Sequence, residues 1–324
     1  MSVLVYTENW DGKFKKLTFE LVSYANELAK NMNTSVTAVS IGNVAEDELK
    51  KLGTYGAAKV LSFNDNRAAN LVNQAYSSVI TQAAQRENAN IVVFANNFTG
   101  KAVAPRVAVK LNAGVASGAV TIPDSYEPFT VSTRAFSGNA FSKVTVKSPQ
   151  KVVTLNQNSF DIIETGSEAA IENFTPELKD EDFRTEVKDV NKVTDKILLT
   201  DAEVVVSGGR GMKGADFWKP IEELAELLGG ATACSRPVSD EGWRPHEEHT
   251  GQTGKIIGPN LYFAFGISGA IRHLAGASAS KCIMAINKDE EAPIFQAADY
   301  GIIGDVHKVL PELVTAIREF KASN

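Results

Sequence analysis

The amino-acid sequence predicts an α/β protein of two domains. Three observations carry this. β-rich runs alternate with helical patterns twice along the chain, and such alternation implies parallel sheets covered by helices on both faces. The 324 residues exceed one ordinary domain. Between the two runs lies an acidic stretch, residues 161–192, whose apolar pattern is sparse. The domains are therefore drawn as 1–192, including the acidic segment as a bridge, and 193–324.

In the first domain, Val3–Tyr6, Ser35–Ile41, Lys59–Phe63 and Ile91–Ala95 read as buried strands. Leu17–Met32, Glu46–Leu52, Ala68–Gln85 and Lys101–Leu111 read as the helices between them. Gly118–Thr121, Thr130–Phe136, Ser142–Lys147 and Val152–Asn156 are strand-like and are expected to extend the sheet in antiparallel fashion. The acidic segment is equally compatible with a solvated edge strand and loop. In the second domain the expected strands are Glu203–Val206, Ala231–Ser235, Leu261–Gly266 and Ile283–Ile286. Ala215–Leu228 and Lys308–Phe320 are expected helices, and another begins near Ser268.

Composition excludes several functions. Net charge is −6, which argues against nucleic acid as a partner. Residues 1–150 carry 15 Lys/Arg against 11 Asp/Glu, whereas residues 151–324 carry 18 against 28. An acidic half that held a pyrophosphate would need placed arginines and helix N-termini. Cys234 and Cys282 are the only cysteines. They are too few for an iron–sulfur cluster or a disulfide framework, and they suit a reducing, cytoplasmic compartment. The longest apolar runs are far shorter than the ~20 residues of a membrane span, and no signal peptide is visible.

Three glycine-bearing turns carry the chemistry. Gly209-Arg210-Gly211-Met212-Lys213-Gly214 follows a strand and precedes a helix, as a dinucleotide fingerprint does. The acid expected after the next strand is replaced by Ser235-Arg236, so the motif alone does not separate a nicotinamide site from a tight turn. Gly266-Ile267-Ser268-Gly269-Ala270-Ile271-Arg272-His273 is a second strand-to-helix turn, with Ser268 as the expected N-cap. Free N–H groups after it would face an anion. Thr250-Gly251-Gln252-Thr253-Gly254-Lys255 offers amides and hydroxyls to a polar ring edge. His246-Glu247-Glu248-His249 lacks the i, i+4 histidine spacing of a zinc helix.

In order along the chain, Val206–Gly211, Ser235-Arg236, Gly251–Lys255, Leu261–Gly276, Ala285–Asp289 and Ala292–Gly301 resemble the α subunit of electron-transfer flavoprotein. The match in motifs spans about residues 203–312. It implies a doubly wound, FAD-binding C-terminal domain and an N-terminal parallel sheet of the adenine-nucleotide α-hydrolase type. It also implies a β-subunit partner forming a heterodimer, with no direct membrane insertion. FAD would relay single electrons from acyl-CoA dehydrogenases to a membrane quinone oxidoreductase, a carrier role rather than enzymatic turnover.

Carried over by position, the FAD contacts are Arg210, Ser235, Arg236, Thr250, Gly251, Gln252, Thr253, Ser268, Gly269, Ala270, Ile271, Arg272, His273, Asn287, Asp305 and Val306. Arg236 is expected over the ring, Thr253 near N5, and His273 at the pyrimidine carbonyl side. Asn287 and Asp305 would serve the adenosine end. Three positions depart from the family: Arg272 replaces Gln, Ala277 replaces Met, and Glu290 replaces Pro. Three alternatives stay open. One is an NADP-dependent oxidoreductase using the Gly209–Gly214 turn with Arg236 on the 2′-phosphate, one is an electron-bifurcating member of the same family, and one is a non-redox binding module or scaffold with a degenerate nucleotide site. The polar stretch Lys192–Lys196 is the expected hinge between the domains.

Overall fold

The computed structural model describes residues 2–138, 140–190 and 197–323. The chain divides into two compact units, Met1–Ala135 with Ala140–Asn191, and Phe136–Asn139 with Lys192–Asn324. The hinge expected at Lys192–Lys196 lies outside the described residues.

The first unit runs β1 (Ser2–Tyr6), β2 (Asn9–Trp10), β3 (Lys13–Phe14), α1 (Lys16–Asn31), β4 (Ser35–Ile41), α2 (Glu46–Thr54), β5 (Lys59–Phe63), α3 (Asn73–Arg86), β6 (Ala89–Ala95) and α4 (Phe98–Leu111). It continues through β7 (Gly114–Ala119), β8 (Ser125–Tyr126), β9 (Phe129–Ala135), β10 (Ala140–Val146), β11 (Lys151–Leu155) and β12 (Ala170–Asn173). The main sheet is ordered β10-β9-β7-β11-β6-β1-β4-β5-β12. Side-chain alternation sorts its faces. Val3 and Val5 pack with α1 and α2, while Leu4 and Tyr6 pack with α3 and α4.

Two expectations for this unit need correction. The strand at residues 151–155 is not an antiparallel extension: β11 inserts between β6 and β7 and pairs parallel with both. The antiparallel pairs are those of β9 with β7, β8 and β10, and of β2 with β3. Helix α3 starts at Asn73 rather than Ala68, because Asp65 caps a separate 3₁₀ turn at Asn66–Ala68 through the Arg67 amide. Of the two readings of the acidic segment, its start follows the edge strand. β12 pairs parallel with β5. Beyond it, Asp182 accepts from the Ser78 hydroxyl at 2.5 Å, and the Glu177 N–H donates to Gln82 at 2.8 Å.

The second unit runs β13 (Val204–Gly208), α5 (Lys219–Leu228), β14 (Ala231–Cys234), α6 (Arg236–Asp240), β15 (Leu261–Phe265), α7 (Ile271–Ala277), β16 (Cys282–Asn287), α8 (Ile294–Ala297), β17 (Tyr300–Ile303) and α9 (Val306–Ser323). Its sheet is wholly parallel, in the order β14-β13-β15-β16-β17. Along β15 and β16 the residues alternate sides. Tyr262, Ala264, Ile283 and Ala285 face the layer containing α7 and α8. Phe263, Phe265 and Ile286 face the layer of α5 and α9, where Ile221, Leu224, Leu310 and Val314 are buried. Both faces are covered, so this is a doubly wound sheet.

Candidate functional site

In a parallel sheet wound this way, helices leave opposite faces on either side of the first strand. That opens a crevice at the carboxyl ends of the strands. Here the switch lies between β13 and β15, and the two glycine turns close on each other there. The Gly209 amide donates to the Phe265 carbonyl at 2.8 Å and the Gly211 amide to the Gly266 carbonyl at 3.0 Å. A Cβ on Gly209 would stand 2.3 Å from the Gly266 oxygen, and Gly266 itself has φ +62°. The glycines at 209, 211 and 266 thus serve backbone-to-backbone packing of two turns.

The segment after β13 is not a dinucleotide fingerprint. Arg210–Met212 and Ala215–Phe217 are two 3₁₀ turns, and α5 begins only at Lys219. The helix expected from Ala215 is therefore shortened. Trp218, 2% exposed, packs its ring where a Cβ on Gly208 would be. Arg210 is exposed at the head of the first turn.

Ser235 is buried at the start of α6, and Arg236 follows it on the surface. The Arg236 guanidinium donates from Nη1 to Thr253 Oγ1 at 3.3 Å and from Nε to Asp240 Oδ2 at 3.2 Å. Two sequence-distant candidates are thereby joined. The loop that carries Thr253 is anchored at both sides. The Thr250 amide donates to the Cys234 carbonyl at 3.0 Å, and the Gln252 amide donates to the Arg272 carbonyl at 2.7 Å. Gly251 packs against Gly276 of α7 so closely that a Cβ on Gly276 would stand 2.4 Å from the Gly251 nitrogen.

The turn after β15 differs from expectation in one respect. α7 begins at Ile271 with Ala270 at the N-cap position, so Ser268 is exposed and is not the cap. Ser268 instead accepts through its carbonyl from the Ile294 amide at 3.0 Å. Gly269 has φ +81°, with Ile294 backbone where a Cβ would go. Ile271, an apolar residue, is 67% exposed beside Ser268, Ala270 and Arg272. His273 faces inward and is 7% exposed. Its Nε2 is 2.7 Å from the Tyr262 hydroxyl. Burial pushes its pKa down to about 4, so the imidazole is neutral near pH 7. Burial also lowers the pKa of His249, which lies under the same loop, and the nearby His246 and Arg236 lower it further.

At the other end of the sheet edge, Asn287 Nδ2 donates to the Ile267 carbonyl at 3.0 Å. Asp305 caps α9 by accepting from the His307 amide at 3.0 Å. That bond, with Lys213 and other cations nearby, holds the Asp305 pKa below its ordinary value. The Val306 side chain is core, 4% exposed, so only its backbone is available to a ligand. Sequence reading missed Asp240, His249 and Tyr262, which back the expected residues. It also missed Arg244, whose guanidinium grips Glu248 at 2.8 and 2.7 Å and Glu222 at 2.6 Å. The Arg244–Glu248 pair engages one carboxylate of the His246–His249 segment.

An electron transfer flavoprotein domain model matches residues 3–179, and an electron transfer flavoprotein FAD-binding domain model matches residues 198–278. The chain is 39% identical to the electron transfer flavoprotein subunit alpha of Syntrophomonas wolfei, over 97% of this chain and 98% of that one. It is 37% identical to the subunit alpha of Bacillus subtilis, over 99% and 98%. It is 35% identical to the protein FixB of Clostridium saccharobutylicum, over 98% and 96%. The chain belongs to the electron transfer flavoprotein α-subunit family.

Its second unit is accordingly an FAD-binding domain of that family. The residues present fit the cofactor. Arg210, Arg236 and Arg272 are exposed cations at one sheet edge of an otherwise acidic half. The buried atoms Thr250 Oγ1 and His249 Nδ1 have no hydrogen-bond partner among the described residues, which is unusual for groups so well buried.

Proposed function

We propose that this electron transfer flavoprotein α subunit is the FAD-bearing chain of an αβ heterodimer. In this reading it takes electrons from acyl-CoA-type dehydrogenases and delivers them to a membrane quinone oxidoreductase. The observation that carries the reading is the Arg236–Thr253 contact at the carboxyl edge of a doubly wound sheet, where family resemblance expects the ring. FAD, when bound, takes up and gives out electrons singly.

The chain's own residues would bind and tune it. Arg236 presents a fixed positive charge, which favours negative charge on the ring. Thr253 is held by Arg236 and can donate or accept at a ring nitrogen. His273 acts here as a neutral group, since its cation is disfavoured by burial. Arg272 and the turn at residues 268–271 would hold the diphosphate, and Asn287 and Asp305 the adenosine end. Cys234 and Cys282 are free thiols, in keeping with a reducing, cytoplasmic setting. Among the described residues no helix is long and apolar enough to cross a membrane.

The NADP reading loses its main support, because the helix expected from Ala215 begins at Lys219. The test is anaerobic mixing of the purified heterodimer with an acyl-CoA dehydrogenase and its substrate. The proposal expects bleaching of the flavin absorbance, and none with NADPH alone. Bleaching by NADPH without a dehydrogenase would favour the oxidoreductase or bifurcating readings.

A further inference from the structure

We propose that Asp240 is a positioning residue for Arg236: its carboxylate orients the guanidinium against Thr253 and offsets part of the charge that Arg236 presents to the cofactor. This rests on the FAD reading. Asp240 accepts from Arg236 Nε at 3.2 Å while Arg236 Nη1 donates to Thr253 Oγ1 at 3.3 Å. With two of its nitrogens engaged, the guanidinium is fixed across α6 and the 250–255 loop rather than free to swing.

Helix stability does not account for the pair. The two residues are spaced i, i+4 with the cation first. That order sets each charge at the unfavourable end of the helix, the reverse of the stabilising one. The pair is also more than half exposed on both sides, 55% and 59%, and such a pair adds little to folding. Its field nevertheless reaches inward. Both charges act on the buried imidazole of His249, Arg236 lowering and Asp240 raising its pKa. Asp240 thus opposes Arg236 at a group beneath the loop, and it would do the same at a ring bound above it.

The sign follows. Removing the carboxylate leaves Arg236 uncompensated and favours negative charge on the reduced ring. Asp240→Asn is therefore expected to raise the one-electron midpoint potential of the bound FAD. The change corresponds to roughly two- to fivefold in the reduction equilibrium, the size of a partly exposed ion pair. The experiment is spectroelectrochemical titration of the heterodimer carrying Asp240→Asn, Arg236→Ala, both, or Asp240→Glu. In the flavin-free protein, the Arg236 Nε–H resonance is followed by NMR in parallel. The expected result is a positive shift for Asp240→Asn, none when Arg236→Ala is already present, and little for Asp240→Glu. The Nε–H resonance should move in Asp240→Asn and stay in Asp240→Glu. An equal shift with and without Arg236, or no shift at all, overturns the proposal. Wild-type protein that takes up no FAD overturns the cofactor reading along with it, and is told apart because no variant then shows flavin bands.

Discussion

At the scale of single residues, charge and burial divide the site into two kinds of group. Arg236 is exposed and permanently charged, so its effect should fall on the cofactor rather than on folding. Arg236→Ala is expected to lower the one-electron potential of FAD more than it weakens FAD binding, and redox titration beside equilibrium dialysis checks this. Loss of FAD with an unchanged potential would reassign Arg236 to the diphosphate. His273 behaves oppositely. Its pKa lies at about 4 in the folded protein, below the ordinary 6.5, so the unfolded chain binds the extra proton between those values. Stability is fully present above about pH 6.5 and is lost as pH falls toward 4, by at most about 3 kcal/mol. Urea unfolding at pH 7 and pH 4.5 should show a smaller acid loss in His273→Gln than in wild type. Arg236, Thr253 and His273 could be named as candidates from sequence because they sit in ordered motifs that resemble the family's. Asp240 and Tyr262 could not, because their roles come from contacts with Arg236 and His273 that only the folded chain creates.

At the scale of elements, the glycine turns carry the clearest prediction. Gly266 has φ +62° and approaches Gly211 so closely that a Cβ would stand 2.7 Å from the Gly211 Cα. Gly266→Ala combines backbone strain with a backbone clash, and it should cost about 2–4 kcal/mol and loosen FAD. Thermal unfolding and the flavin content of the purified protein check both parts. Short β-rich runs between helical patterns made the buried strands legible, and their residues, such as Tyr262 and Phe263, serve opposite layers. The direction of β11 was not legible: a short, fully buried run looks alike whether its neighbours lie parallel or antiparallel. Nor was the late start of α5, which depends on Trp218 packing under Gly208. β12 and the segment after it were read as a bridge because their apolar content is low. Their attachment instead comes from backbone pairing of β12 with β5 and from hydrogen bonds of the following segment to α3. Replacing Glu177, Asp180 and Asp182 with Gln, Asn and Asn should therefore leave the flavin spectrum unchanged. It should still lower the melting temperature, through the lost Asp182 bonds to Ser78 and to the Lys179 amide.

At the scale of the whole molecule, two units with separate cores make relative motion the ordinary expectation where no large apolar interface locks them. We propose that the FAD-bearing unit reorients as a rigid body to meet donor and acceptor in turn. Distance labels on the two units of the heterodimer should give a broad distribution. A single narrow distance, unchanged on adding a dehydrogenase, would rule this out. Everything above depends on one central claim, that residues 197–323 bind FAD at the carboxyl edge of their sheet. The most direct measurement is the absorption spectrum and FAD content of the chain purified gently with its β partner. The account predicts flavin bands in the visible-blue region and one FAD per heterodimer, with the FAD content reduced by Gly266→Ala. A colourless pair that takes up no added FAD would contradict it.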